Sequence, residues 1–460
     1  MNAPLALVQA FRPPDAIASC PARLGWMVGS PPPPERQIRF ADGSAYRFPQ
    51  LRWSFAHLAA LVPTVLVPRG DGPAAALPRA ERDDLDDLLF TPLRSAGTMS
   101  WAQSLAANYT DAVLVLHRGR IVQERYFGVM APDRLHTALS VTKGVLGLLA
   151  EMLIADGTLD RHAPVAGLVP ELAASGFGKA TVGQLLDMST ALDYREDYAD
   201  PQSGIWAHAA AGGVLPRPPG YRGPDGFRAY LQTVGPAGDH GQVFGYRTVN
   251  TDALAWVLEN TTGQPLASLL SQRLWQPMGA EHDARLSVDG HGVAFAGGGL
   301  NTTLRDLARL GELVRRGGRT GDRTVGTTDS RTDGRTEGVT GNGSGGGSGG
   351  RTGGVCGSPH IVPAAALRRL QHGDNAPVRL RRIDVPMAGW RYRSMWWATH
   401  NAHGAFMARG VHGQALYIDP AAEMVIARYA SHPMPHNALS DPCSLPAFHA
   451  LARHLIAEPG

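Results

Sequence analysis

Residues 137–149 read TALSVTKGVLGLL, and the way this stretch is read decides the rest of the chain. Ser140 and Lys143 stand three apart at the head of an apolar series, Val145, Leu146, Leu148, Leu149, Met152 and Leu153, that recurs at helical spacing until Gly157. The spacing predicts a buried helix with Ser140 at its N-terminus. Residues three apart on a helix share a face with about 5 Å between Cβ atoms, so the lysine amine can reach the serine hydroxyl. A hydroxyl is a weak nucleophile without a base, and lysine can serve if burial or a neighbouring cation makes it neutral. Arginine, which stays protonated, could not. A serine at a helix start also offers an unpaired backbone N–H to a developing oxyanion. The plain alternative is an N-cap serine followed by a solvated lysine. It is weakened by composition: lysine occurs only at Lys143 and Lys179, the rest of the 43 basic residues being arginine. A chance S-x-x-K is then expected only about 0.1 times.

The formal net charge of +3 arises from 43 basic and 40 acidic residues spread without a basic stripe, which points to a small-molecule or peptide substrate and away from nucleic acid. Cys20, Cys356 and Cys443 form no disulfide framework and no metal spacing, which favours a reducing compartment. The opening residues MNAPLALVQAFRPPD lack the features of a secretory signal, and no apolar run reaches the length of a membrane span. A soluble, cytoplasmic protein is expected. The 17 histidines include no H-E-x-x-H or paired-ligand spacing, so no metal is expected, and no other cofactor is implied.

Outward from Ser140, DAVLVLHRGRIVQERYFG (111–128) reads as a β-hairpin turning at Arg118-Gly119-Arg120. Residues 160–240 lack strand alternation and carry helical pieces such as TVGQLLDMS and DGFRAYLQTV. Two further helices follow, NTDALAWVLENTTG, with Asn250 or Thr251 as cap, and TTLRDLARLGELVRRGG. Residues 317–358 hold almost no apolar side chains and are expected to be a disordered surface insertion. YRSMWWATHN, GAFMARGVHGQALYIDP and MVIARYASHP alternate like antiparallel strands, and LPAFHALARHLIAE closes the chain as a helix. The first 95 residues are rich in proline and loop signals, with ERDDLDDLL a helix start. The expected fold is α/β: an antiparallel sheet flanked by helices (residues 96–165 and 241–460), interrupted by a mostly helical lobe (166–240) and preceded by an extension (1–95).

Gly346-Gly347-Ser348-Gly349-Gly350 satisfies G-x-S-x-G, but a nucleophile elbow needs a hydrophobic strand before it and a helix after it, and this copy lies in the polyglycine stretch. The aromatic group Trp390, Tyr392, Trp396 and Trp397 fits core packing better than a substrate platform.

Three segments together, SVTKGVLGLLAEMLIADGTLD, FGYRTVNTDALAWVLENTTG and ARGVHGQALYIDP, resemble the serine β-lactamase-like (penicillin-recognising) hydrolases. VPELAASGFGKATVGQLLDMSTALDYREDYADP, QPMGAEHDA and AGGGLNTTLRDLARLGEL make the aminohexanoate-dimer hydrolases and related carboxylesterases the nearest likeness. The resemblance implies a β-lactamase/transpeptidase-like fold and a serine hydrolase acting on an ester or linear amide through an acyl-enzyme. It puts the nucleophile on Ser140, its base on Lys143 and the proton-relaying phenol on Tyr246. Gly410 would admit the substrate, the Val411 N–H would be the second oxyanion donor, and Tyr198 would touch substrate. The family's third motif, usually K-T-G, falls on Ala408-Arg409-Gly410, so the lysine that helps hold a β-lactam carboxylate is missing. Arg409 or His412 is the candidate to compensate. The departure weakens a β-lactamase or penicillin-binding-type peptidase reading, and an inactive binding protein on the same fold is the other rival.

Overall fold

The structure, a computed structural model, describes residues 13–320, 360–372 and 389–457. The expected insertion from residue 321 on, and with it the G-x-S-x-G copy, lies outside the described residues.

A seven-stranded antiparallel sheet runs in the order Arg120–Tyr126, Thr110–His117, Met424–Ala430, Gln414–Asp419, Phe406–Gly410, Trp396–Ala398 and Arg391–Arg393. The predicted hairpin is its edge, closed at Arg118 and Gly119, both with positive φ, the two-residue turn whose twist matches that of paired strands. Because strand side chains alternate, the sheet has two distinct faces. On one, Gly144 of the helix Val141–Ala155 meets Ala408, and Gly311 of the helix Leu304–Arg315 meets Leu416 and Val425. Ala408 and Leu416 are register partners, so both helices cover the same face. On the other face the helix Asp441–Ala457 sets Phe448 against Tyr417, ring centroids 5.3 Å apart. Helices thus flank an antiparallel sheet, as expected.

A second sheet of four strands, in the order Thr64–Val67, Ala284–Ser287, Leu300–Thr302 and His136–Thr137, was not foreseen. It sets the site. Pairing of His136–Thr137 with Leu300–Thr302, continued by the Ala138 N–H donating to the Leu300 carbonyl, brings the start of the Ser140 helix beside Gly297–Gly299. The segment before residue 95 therefore does more than precede the fold. Thr64–Val67 forms an edge strand, Arg52 makes a buried ion pair of 3.2 Å with Asp111, and Phe55 packs edge-on against His136 and His412. ERDDLDDLL forms a 3₁₀ turn, Asp84–Asp87, in place of a helix, and Leu89 enters the short strand Leu89–Phe90.

Between residues 165 and 233 the described elements are helices, among them Val182–Leu186, opened by a reciprocal Thr181/Gln184 capping box. The long helix that follows spans Val249–Thr262 and ends at left-handed Gly263. Its cap position is Thr248, not Asn250 or Thr251. Asn250 is fully buried in the first turn, where its side chain accepts from the Thr190 hydroxyl and contacts Met188 Sδ. Asn250 lies two residues past the cap position, inside the helix, so it is not placed to cap the helix start. Among the described residues no helix is long and apolar enough to cross a membrane, and no group of three or more His, Cys, Asp or Glu side chains is placed to hold a metal.

Candidate active site

Leu139, with φ +45°, turns the chain sharply from the strand His136–Thr137 into the helix Val141–Ala155. Ser140 sits half-buried at that corner. Its hydroxyl caps no helix N–H and instead accepts a hydrogen bond of 3.0 Å from Lys143 Nζ. Lys143 is only 1% exposed, and its amine also donates to the Gly297 carbonyl at 2.5 Å. The solvated-lysine alternative is thereby excluded. A buried amine with a serine hydroxyl as one of its two partners has the geometry of a base and its nucleophile.

Tyr246 closes the group. Its ring centroid lies 5.1 Å from Lys143 Nζ, and it stacks on Trp397 with centroids 6.1 Å apart and planes 21° from parallel. The flanking backbone is pinned on both sides: the Gly245 N–H donates to the Met188 carbonyl, and the Thr248 N–H donates to Glu196 at 2.7 Å. Trp390, Tyr392, Trp396 and Trp397 are all buried, as core packing requires. Tyr392 and Trp397 additionally back Tyr246.

Gly410 is needed for steric reasons, since its φ of −129° is ordinary extended backbone. A Cβ built on it would come 3.0 Å from the Ser140 nitrogen and 3.1 Å from the Ala138 carbonyl. Glycine keeps the N–H of Ser140 uncovered, and Val411 follows directly at the strand end. The Tyr198 hydroxyl donates to Glu196 at 3.0 Å, the carboxylate that also holds Thr248. Burial and the Glu196 charge push its phenol well above the ordinary range.

Neither candidate for the missing lysine's task is brought to Ser140. Arg409 points to the other sheet face, in an ion pair of 2.5 Å with Asp441. The His412 ring donates from Nδ1 to the His432 carbonyl at 2.6 Å, and burial pulls its pKa down to about 4. Ala408 itself is 1% exposed, and a Cβ on Gly144 would meet its methyl at 2.7 Å and Trp396 at 3.3 Å, so helix and strand touch where a longer side chain would begin. Sequence reading missed Gly297 and Glu196. The run Gly297-Gly298-Gly299 was a signal of close backbone approach, whereas nothing local marked Glu196.

The model of the family described as Beta-lactamase matches residues 102–441. The chain is 34% identical over 388 residues to a 6-aminohexanoate-dimer hydrolase of Paenarthrobacter ureafaciens, covering 84% of this chain and 87% of that one. A Bacillus anthracis protein of known structure, provisionally described as a 6-aminohexanoate-dimer hydrolase, superposes with a TM-score of 0.76 at 28% identity, covering 94% of this chain and all (100%) of that one. A family VIII carboxylesterase shares the fold alone, with a TM-score of 0.52 at 17% identity over 77% of this chain and 96% of that one.

Proposed function

For this chain, which belongs to the beta-lactamase family and is a serine hydrolase, we propose that Ser140 attacks an ester or linear amide carbonyl and carries the acyl group. Lys143, in its unprotonated form, takes the hydroxyl proton as the bond to carbon forms. The N–H groups of Ser140 and Val411 receive the oxyanion, and the Tyr246 phenol passes a proton to the departing alcohol or amine. Water then enters, gives up a proton along the same route and releases the acid, so that Ser140 regains its hydrogen. The observation that carries this reading is the 3.0 Å contact between buried Lys143 and the uncapped Ser140 hydroxyl, with Tyr246 beside it.

Likeness to the aminohexanoate-dimer hydrolase favours a short linear amide or a related ester as substrate. Ala408 argues against a β-lactam, whose carboxylate would lose its usual cation. We assign residues 166–240, which carry Tyr198, to a helical lobe that walls the substrate cleft, and the cytoplasm as the protein's location; nucleic acid is not a partner in this reading.

A fluorophosphonate tests the nucleophile, because the adduct on an activated serine does not deacylate. One adduct by intact mass, lost in Ser140→Ala, is expected; equal labelling of that variant sinks the assignment. In substrate panels, p-nitrophenyl esters should exceed nitrocefin in kcat/KM by orders of magnitude, with linear amides between. Efficient nitrocefin turnover without ester turnover would replace this reading by a β-lactamase one.

A further inference from the structure

Lys143 is held from behind as well as from in front. Gly297 accepts from its amine through the carbonyl and donates its own N–H to Asp252 Oδ1 at 3.0 Å. Gly297 lies close against the start of the helix Val249–Thr262: a Cβ on it would come 2.2 Å from Cγ2 of Thr248, the cap position. Asp252, on that same helix, is 4% exposed. Its second oxygen lies 2.8 Å from His208 Nε2, outside hydrogen-bond geometry.

His208 is fully buried on the helix Gly204–Ala211, among Tyr194, Phe227, Tyr230 and Phe295 at ring-centroid distances of 5.2 to 6.4 Å. Asp252 Oδ2, both His208 nitrogens and the Tyr194 hydroxyl are buried without hydrogen-bond partners among the described residues. Packing alone does not favour such a group, because unmatched buried polar atoms are costly. Asp252 Oδ1 nevertheless has one well-formed bond, and it leads through a single residue to the Lys143 amine.

We propose that Asp252 is a positioning residue for Lys143: it fixes Gly297, whose carbonyl keeps the amine against the Ser140 hydroxyl. This rests on the reading of Ser140 and Lys143 as nucleophile and base. A lysine side chain has four rotatable bonds, and the helix fixes only its root. The Gly297 carbonyl selects the one arrangement in which Nζ reaches Oγ. Asp252 touches no reacting atom in this scheme and acts through Gly297 alone.

The test is the rate of fluorophosphonate labelling of the full chain against reagent concentration, in wild type, Asp252→Ala and Asp252→Asn, each checked by circular dichroism. Asp252→Ala should lower the maximal labelling rate about 10- to 100-fold, the cost of a slightly misplaced catalytic group, with the half-saturating concentration unchanged. Asp252→Asn should recover most of that rate, because its amide oxygen can accept the same N–H. A wild-type rate in Asp252→Ala, or an Asn variant as slow as the Ala variant, overturns the proposal. If the variants do not fold, amide exchange in the wild-type protein decides: slow exchange at Gly297 supports the anchor, and exchange as fast as an open loop overturns it. A wild-type chain that takes no label at Ser140 fails the nucleophile reading itself, a different result from all of these.

Discussion

Around Ser140, every residue from Val141 to Leu153 is buried, and the helix is seated against Ala408, Trp396 and the Ser394 carbonyl by glycines at 144 and 147. On the Tyr198 side, residues 195–200 alternate between exposed and half-buried, and the Tyr198 hydroxyl is tied by one hydrogen bond to Glu196. The first side obtains its geometry from close packing, which permits few alternatives. The second is less enclosed: Tyr198 packs edge-on against Trp206 and is held by that one bond, which can be exchanged for a contact with a ligand. In the proposed mechanism the chemistry falls on the closely packed side and substrate fitting on the more open one.

The sharpest way to break this contrast is at Lys143. If Lys143 is the neutral base proposed, Lys143→Arg puts a permanently protonated group in its place, and ester acylation should fall about 10²- to 10⁴-fold, read from the pre-steady-state burst. Near-normal acylation would make the packed side a scaffold only. Tyr198→Phe should cost about tenfold or less and fall mainly on KM, because it removes a single hydroxyl, worth about 0.5–1.5 kcal/mol in a contact, from the side proposed to fit the substrate. A larger loss than that of Lys143→Arg, in kcat, would invert the assignment of roles.

Acid sharpens the contrast through His412, which burial pulls from 6.5 to about 4. The unfolded chain binds this proton more readily, so the stability tied to the neutral ring is fully present above about pH 6.5 and is lost as the pH falls toward about 4. His412→Asn tolerates the local φ of 60° and should flatten the decline of Tm over that window, although His432, lowered by burial too, keeps part of the slope. An unchanged pH profile would show that the ring is not titrating with folding.

The smallest effect is expected for the segment 321–359. Arg319 and His360 form an antiparallel bridge, and the Ile361 N–H donates to the Gly318 carbonyl, so the two ends of segment 321–359 already meet. Replacing that segment by a short loop should leave Tm and kcat/KM unchanged, since closure entropy varies only slowly with loop length. Lost activity in a folded variant would make the segment part of the cleft.

Local pattern made the Ser140 helix, the hairpin and the C-terminal strands legible, because apolar periodicity and turn residues specify each within a few positions. The pair Ser140 and Lys143 was legible for the same reason: one helix turn sets both. The second sheet was not, since His136–Thr137 and Leu300–Thr302 are too short for a period and pair across more than 160 residues. The partners that depend on that pairing, Gly297 and through it Asp252, were hidden with it. Asn250 misled because a polar residue at a helix start reads as a cap unless its burial is known.

The contact between Gly144 and Ala408 also bears on which descendants this chain can have. Lysine at position 408 is a replacement of one residue on paper, but the new side chain would start in a core already closed by the helix and by Trp396. Overfilling such a site is destabilising, and the effects of touching residues do not add. A lineage moving toward carboxylate-bearing substrates would therefore have to open space near Trp396 before acquiring the cation. The intermediate would carry a cavity with no new activity to select it, and the order of mutations, more than their number, stands between this enzyme and that one.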